Sequence, residues 1–200
     1  MTNANTLIIA SLAALATATA AHHQTAKIET AFAPYESILR QHHDGIANAQ
    51  KTIAVATYSI SHPQIKTALA NQHRKGLQVR ILADQGQEAL AYSAIHALRA
   101  DGIPIRTDTR SALFHHKYLI IDDAITITGS ANHTRSAYET NAENSIRIDD
   151  PETARKYLAD FERNWISAKP YRDRRSNPDH KKPAAADSPP PETPPTTKDP

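Results

Sequence analysis

The residues able to do chemistry crowd into one stretch. His115-His116-Lys117-Tyr118-Leu119-Ile120-Ile121-Asp122 is followed, after six residues, by Gly129-Ser130-Ala131-Asn132, so an imidazole, an ammonium, a carboxylate, a hydroxyl and a carboxamide share eighteen residues. Phe114 to Ile121 and Ile125 to Thr128 are strand-like runs, and the Asp122-Asp123-Ala124 between them reads as a tight hairpin. On a strand His115 and Lys117 point to one face, while Asp122 has the opposite parity and falls at the turn. A turn centred on Asp122-Asp123 pairs Ile121 with Ala124 and sets His115 opposite Ser130, with Asn132 on the same face. A turn centred one residue later sets His115 opposite Asn132 and Lys117 opposite Ser130. Either register gathers the four side chains on one surface.

Such a surface suits a phosphodiester. Lys117 supplies a point charge, and Ser130 and Asn132 can donate to non-bridging oxygens, whose negative charge grows as a fifth ligand approaches phosphorus. A neutral His115 can attack if one ring nitrogen is bare and a carboxylate or carbonyl fixes the proton on the other. Glu143, eleven residues beyond Asn132 and just before a strand, is the candidate for that task.

The frame of HxK, four residues, Asp, six residues and GSxN, met by His115, Lys117, Asp122, Gly129, Ser130 and Asn132, resembles the HKD motif of the phospholipase D superfamily. Phe32 to Pro34, Ala56 to Ile60, His73 to Asp84 and Phe161 to Trp165 extend the likeness to the short, single-motif members, above all the bacterial secreted Nuc-type endonucleases. The resemblance implies catalysis through a covalent phosphohistidine, with no metal and no cofactor. It also implies two motifs meeting across a two-fold axis, one His attacking while the other protonates the leaving oxygen and later activates water. Only one complete motif is present. His73 with Lys75 has Arg80 where the Asp belongs; His180 with Lys182 reaches Asp187 but lies in a Pro-rich stretch, and neither precedes GSxN. A homodimer is therefore the expected catalytic unit. In the similar enzymes the carboxylate at the position of Glu143 orients the nucleophile, and the motif Asp, here Asp122, is more a structural or electrostatic partner. The catalytic set so expected is His115, Lys117, Asp122 and Glu143, with Lys117, Ser130 and Asn132 holding phosphate. His116, of opposite parity, is not expected to react; His133 reads as a helix start and Arg135 as surface decoration, each with a phosphate contact as the alternative.

Elements must place these groups. Lys27 to Pro34 reads as a strand, Tyr35 to Gln50 as a helix, Thr52 to Ile60 as a strand, and Pro63 to Lys75 as a helix stopped by Gly76. Leu77 to Leu82 is a third strand and Glu88 to Ala100 a third helix. This β, α, β, α, β, α order predicts an α/β fold, a mixed, largely parallel β-sheet flanked by helices on both faces with the motif on a hairpin, and the resemblance implies that this is the phospholipase D/nuclease-like fold. Past Asn132 a short helix leads to a strand at Ser145 to Ile148, and Pro151 to Ala168 is an amphipathic closing helix.

Residues 1–20 carry no charge and end in Ala18-Thr19-Ala20, the pattern of a signal peptide, so export to the periplasm or medium is expected. Residues 21–172 are expected to form the catalytic domain. Residues 173–200 read as a disordered Pro-rich tail, because eight of the thirteen prolines follow Ser176 and no large apolar residue does. With no cysteine, disulfides and Cys-based zinc are excluded. Of eleven histidines, six sit in adjacent pairs whose side chains diverge, poor geometry for one metal ion. A net charge of +2 means any affinity for a polyanion depends on where cations sit.

The motif binds phosphate without naming what is attached. Lys66, Arg74, Lys75, Arg80, Arg106, Arg110 and Arg135 are cations that can line a nucleic-acid groove. No aromatic-rich loop or membrane-surface helix stands out. The expected substrate is therefore DNA or RNA. The alternatives are a phospholipase D acting on phosphatidylcholine or cardiolipin, and a silent nucleic-acid-binding or secretion-system module.

Overall fold

The structure is a computed structural model and describes residues 25–175; the leader and the tail from residue 176 lie outside the described residues. One eight-stranded sheet runs through it. In chain order its elements are β1 (Lys27–Ala33), α1 (Ile38–Ala47), β2 (Thr52–Thr57), α2 (Pro63–Arg74), β3 (Gln78–Asp84), α3 (Ile95–Ala100), β4 (Ile105–Asp108), β5 (Lys117–Ile121), β6 (Ile125–Gly129), α4 (Arg135–Glu139), β7 (Glu143–Asp149), α5 (Pro151–Ser167) and β8 (Lys169–Pro170). The spatial order is β1-β7-β6-β5-β2-β3-β4-β8.

The mixed sheet with helices on both faces agrees with expectation, but "largely parallel" must be corrected. Only β2–β3 and β3–β4 are parallel; the other five pairings are antiparallel. The alternation of strands and helices is the same in both arrangements. What differs is where β1 goes: α1 carries the chain across the sheet, so β1 pairs with β7 at the far edge and β5, β6 and β7 fill the space between β1 and β2. β5 and β6 are joined by Asp122, Asp123 and Ala124 alone, a link that antiparallel neighbours permit and parallel ones do not, and β6 and β7 by the stretch that holds α4.

The two sheet faces have separate cores. Ile53, Val55, Ile81, Leu119, Ile121 and Ile127 pack with Ile38 and Ile46 of α1, Leu69 of α2, Leu98 of α3 and Tyr138 of α4. The alternate residues Ala54, Ala56, Leu82, Tyr118 and Ile120 pack with Ala154 and Phe161 of α5. β2, β3 and β5 are thus buried on both sides and read as near-continuous apolar runs. Gly45 lets α1 lie close, since a Cβ there would fall 2.7 Å from Ile127 Cδ1.

The expected helix at Glu88 to Ala100 is a second correction. Gln85–Ala89 forms a 3-10 turn, and helix resumes only at Ile95. Glu88, which helical spacing would place outside, is buried: it accepts from Thr107 Oγ1 (2.9 Å) and the Arg172 amide (2.8 Å) and pairs with Arg174 Nε (2.8 Å). Those contacts fix the turn and hold the segment after β8 against the body.

Candidate active site

The hairpin turns where expected and then departs from both anticipated registers. Asp122 and Asp123 have φ of 53° and 54°, and the Ala124 amide donates to Ile121 O at 3.1 Å, a turn of the mirror type that matches strand twist. Pairing resumes at Ile121 with Ile125, not Ala124. Ala124 is thus one extra residue, and the register lies midway between the two expected. Extended past the Tyr118–Thr128 pair, it brings Lys117 opposite Gly129, with Thr128 Oγ1 donating to Lys117 O at 3.1 Å.

His115 lies just before β5 rather than within it, and is exposed. Asp84, at the end of β3, accepts from the Phe114 amide (2.8 Å) and the Gly86 amide (2.8 Å), anchoring the approach to His115. The His115 ring lies 4.9 Å from the Tyr58 ring. Lys117 Nζ donates to His115 O at 2.9 Å and stands 5.3 Å from the Tyr58 ring centre. Tyr58 is itself tied to this segment, its amide donating to His116 O at 2.8 Å. Sequence reading named Tyr58 only as part of a strand; its position one residue past the end of β2, beside the motif, is not visible in spacing.

Ser130 and Glu143 meet directly. Ser130 Oγ donates to Glu143 Oε2, and the Asn144 amide donates to Ser130 Oγ at 3.0 Å. Asn141 Nδ2 holds the other carboxylate oxygen at 3.2 Å. Gly129 permits this: a Cβ there would fall 2.1 Å from Asn144 O, so only glycine lets β6 and β7 approach so closely. Asn132 is buried, with Oδ1 unmatched by a protein donor. Its neighbour His133 locks this segment to the run after β2: its amide donates to Ser59 O (3.1 Å), and its carbonyl accepts from Ser61 and His62 amides (2.9 Å each).

Asp122 is not brought to this cluster. It lies past the other end of β5, about 17 Å along the strand from Lys117 at 3.4 Å per residue, where its carboxylate accepts from the amides of Gln50 (2.9 Å), Lys51 (2.7 Å) and Thr52 (3.0 Å). That placement sets it apart from the groups around His115, and it pins β2 to β5.

His133 does not start the helix. Thr134 is the cap, its Oγ1 accepting from the Ala137 amide, and His133 is buried against His42 and Tyr138. Burial, then the charge of Lys117, then His62, lower the His133 pKa to about 4. His42 is driven well below the ordinary histidine range by burial and by His133. Arg135 pairs with Glu139 on the surface.

An open groove of about 390 Å³ is lined by His115, Lys117, Gly129, Lys156, Tyr157 and Asp160, among others. Asp160 approaches His116 Nε2 at 3.7 Å and accepts from Tyr118 Oη at 2.9 Å; burial and then Asp160 push the Tyr118 pKa upward. Lys156 is a groove cation that sequence analysis missed, because only the packing of α5 brings it here. Two expected groove cations are committed elsewhere. Arg80 pairs with Glu162 and lies 5.1 Å from the Phe161 ring centre, and Arg106 Nη1 donates to Trp165 O at 2.7 Å. Among the described residues no three His, Asp or Glu side chains gather as metal ligands, and no helix is long and apolar enough to cross a membrane.

Comparison with known proteins places this arrangement. The family model "Cardiolipin synthase, PLD-like domain" matches residues 43–165, well over half the chain. A phospholipase D of Rickettsia conorii is 36% identical over 72% of this chain and 70% of its own length. A mitochondrial cardiolipin hydrolase of Xenopus laevis is 33% identical over 60% of this chain, which spans 57% of that relative. Among solved structures, the phospholipase D family member Nuc from Salmonella typhimurium superposes with a TM-score of 0.69 at 28% identity, covering 74% of this chain and 99% of Nuc. Matched in sequence over most of its folded part and in structure over nearly all of Nuc, the chain belongs to the phospholipase D superfamily of phosphodiesterases and has the Nuc-type fold.

Proposed function

We propose that this chain is an exported, homodimeric endonuclease that cleaves nucleic-acid phosphodiester bonds without base specificity. The observation that carries the reading is the groove beside His115: Lys117 and Lys156 supply cations and Tyr157 supplies ring surface, with the Tyr58 ring beside Lys117 and His115, the pairing that follows a nucleic-acid backbone without reading bases. The likeness to Nuc over nearly its whole length supports it.

In this mechanism a ring nitrogen of His115 attacks phosphorus, forming a P–N bond as the P–O bond to the leaving group breaks. The second copy of His115, from a partner subunit, gives the leaving oxygen its proton. That same imidazole then takes a proton from water, whose oxygen attacks phosphorus and releases His115 and a phosphomonoester. Lys117 and Asn132 carry the charge on the non-bridging oxygens; Ser130, whose one proton goes to Glu143 in the free site, turns it to the phosphate when substrate binds, and Glu143 is left to orient the nucleophile. Asp122 acts only by fixing β5. Export follows from cleavage after Ala20.

A phospholipase D acting on cardiolipin or phosphatidylcholine is the second reading, favoured by the likeness to mitochondrial cardiolipin hydrolases and by Leu113, 56% exposed two residues before His115. Purified protein assayed side by side on plasmid, RNA and cardiolipin vesicles, with excess chelator, separates the two. Nucleic-acid cleavage that persists in chelator and vanishes in His115→Ala is expected. Phosphatidic acid release with intact nucleic acid would replace the first reading by the second.

A further inference from the structure

Behind the site, five buried or half-buried side chains form a hydrogen-bond chain with a single consistent direction. Gln41 Nε2 donates to Glu29 O at 3.1 Å, which leaves its Oε1 as an acceptor; Ser145 Oγ donates to that oxygen at 2.6 Å. Ser145 has then given its only proton, so its 3.0 Å contact with His42 Nε2 is a donation from the imidazole. A neutral His42 so protonated has a bare Nδ1, and Tyr138 Oη, 3.0 Å away, gives its proton there. Tyr138 Oη must therefore accept at 2.7 Å from His133, which carries its proton on Nδ1. Reversing the step at Tyr138 fails: with His42 held in the Nε2–H form by Ser145, it would leave His42 Nδ1 facing only the lone pairs of Tyr138 Oη and of His133 Nδ1, 3.4 Å away.

A bare, buried Nε2 on His133 therefore turns away from Tyr138. Lys117 pairs with Thr57 and shares its sheet face, the face on which Tyr138 and Ala131 pack, and its charge reaches His133. An imidazole that keeps its lone pair on Nε2 favours an ammonium nearby, whereas the other tautomer would present an N–H dipole in its place.

We propose that His133 is a positioning residue of the phosphate site, held by the Gln41–Ser145–His42–Tyr138 chain in the Nδ1–H tautomer so that its bare Nε2 supports the charge and placement of Lys117. This rests on reading Lys117 as the cation that binds phosphate. The histidines of full-length protein labelled with ¹⁵N report their tautomers by long-range ¹H–¹⁵N correlation. His133 protonated on Nδ1 and His42 on Nε2 are expected. Inorganic phosphate titrated into the same protein measures the site. His133→Asn keeps a donor near the Nδ1 position but lacks the Nε2 acceptor, whereas His133→Gln restores an acceptor there. Phosphate affinity should fall about tenfold in His133→Asn and Tyr138→Phe and less in His133→Gln, since each removes or spares one directed interaction. Finding the His133 proton on Nε2 in the wild type overturns the proposal even if no variant folds, as does equal phosphate affinity in wild type and His133→Asn. Nucleolytic turnover surviving His115→Ala overturns the proposed function instead and leaves the tautomer result standing.

Discussion

Asp122 is a motif residue that sits far from His115 and Lys117. One carboxylate accepts from three consecutive amides, Gln50, Lys51 and Thr52, at the start of the central strand. Replacing it by Ala strands those donors, and unfolding in urea should report a loss of about 2 kcal/mol, in the range for bonds to a charged acceptor. The HKD spacing made Asp122 legible as a fixed residue, and its odd parity placed it at the turn, away from His115; the identity of its partners was not legible, because they lie seventy residues earlier. His133 was the opposite case. Adjacent to Asn132 and before a helix, it reads as a capping position, and nothing local announces that His42, ninety-one residues earlier, comes within 3.4 Å.

At the scale of elements, the site depends on how closely β6 and β7 approach. Gly129→Ala would drive a Cβ to 2.1 Å from Asn144 O, at the step where Ser130 meets Glu143. The strands must separate there, so activity should fall by roughly a hundredfold while stability drops by only about 1–3 kcal/mol, a difference that paired kinetic and denaturation measurements resolve. On the far side, Phe161 fills the space under α5, stacked 5.5 Å from Trp165. Phe161→Ala should cost about 3–5 kcal/mol, seen as a lowered urea midpoint. The strands and most helices were legible from periodicity. The bulge at Ala124 was not: the mirror turn on two aspartates is a two-residue signal, and pairing farther along the ladder decides whether a third residue is accommodated. Nor was the break in the third helix, since Leu90, Ala94, Ile95 and Leu98 fit helical spacing while the buried contacts of Glu88 dictate otherwise.

For the whole molecule, alternation of strands and helices revealed an α/β layer structure but not the antiparallel majority, because no local signal carries β1 to the far edge. The buried histidines make a global property testable. His133, lowered from 6.5 to about 4, stays neutral in the fold while the unfolded chain takes up a proton as pH falls below 6.5. Its stabilising contribution is full above 6.5 and declines by about 3 kcal/mol as pH falls to 4, at 1.36 kcal/mol per unit. His42 acts in the same direction, with His62, Tyr138 and Lys117 the neighbouring titratable groups. Urea midpoints measured from pH 7 to 4 should fall steeply, and less so in His133→Gln. In the proposed mechanism a single motif per chain makes the assembly part of the chemistry, so native mass should give a dimer. The most direct measurement of the central claim is peptide mass analysis of protein quenched, under alkaline conditions, in a single turnover on a nucleic-acid substrate. A phosphoryl adduct on the peptide containing His115 is predicted; full hydrolysis with that peptide unmodified throughout the reaction, or an adduct on another residue, would contradict it.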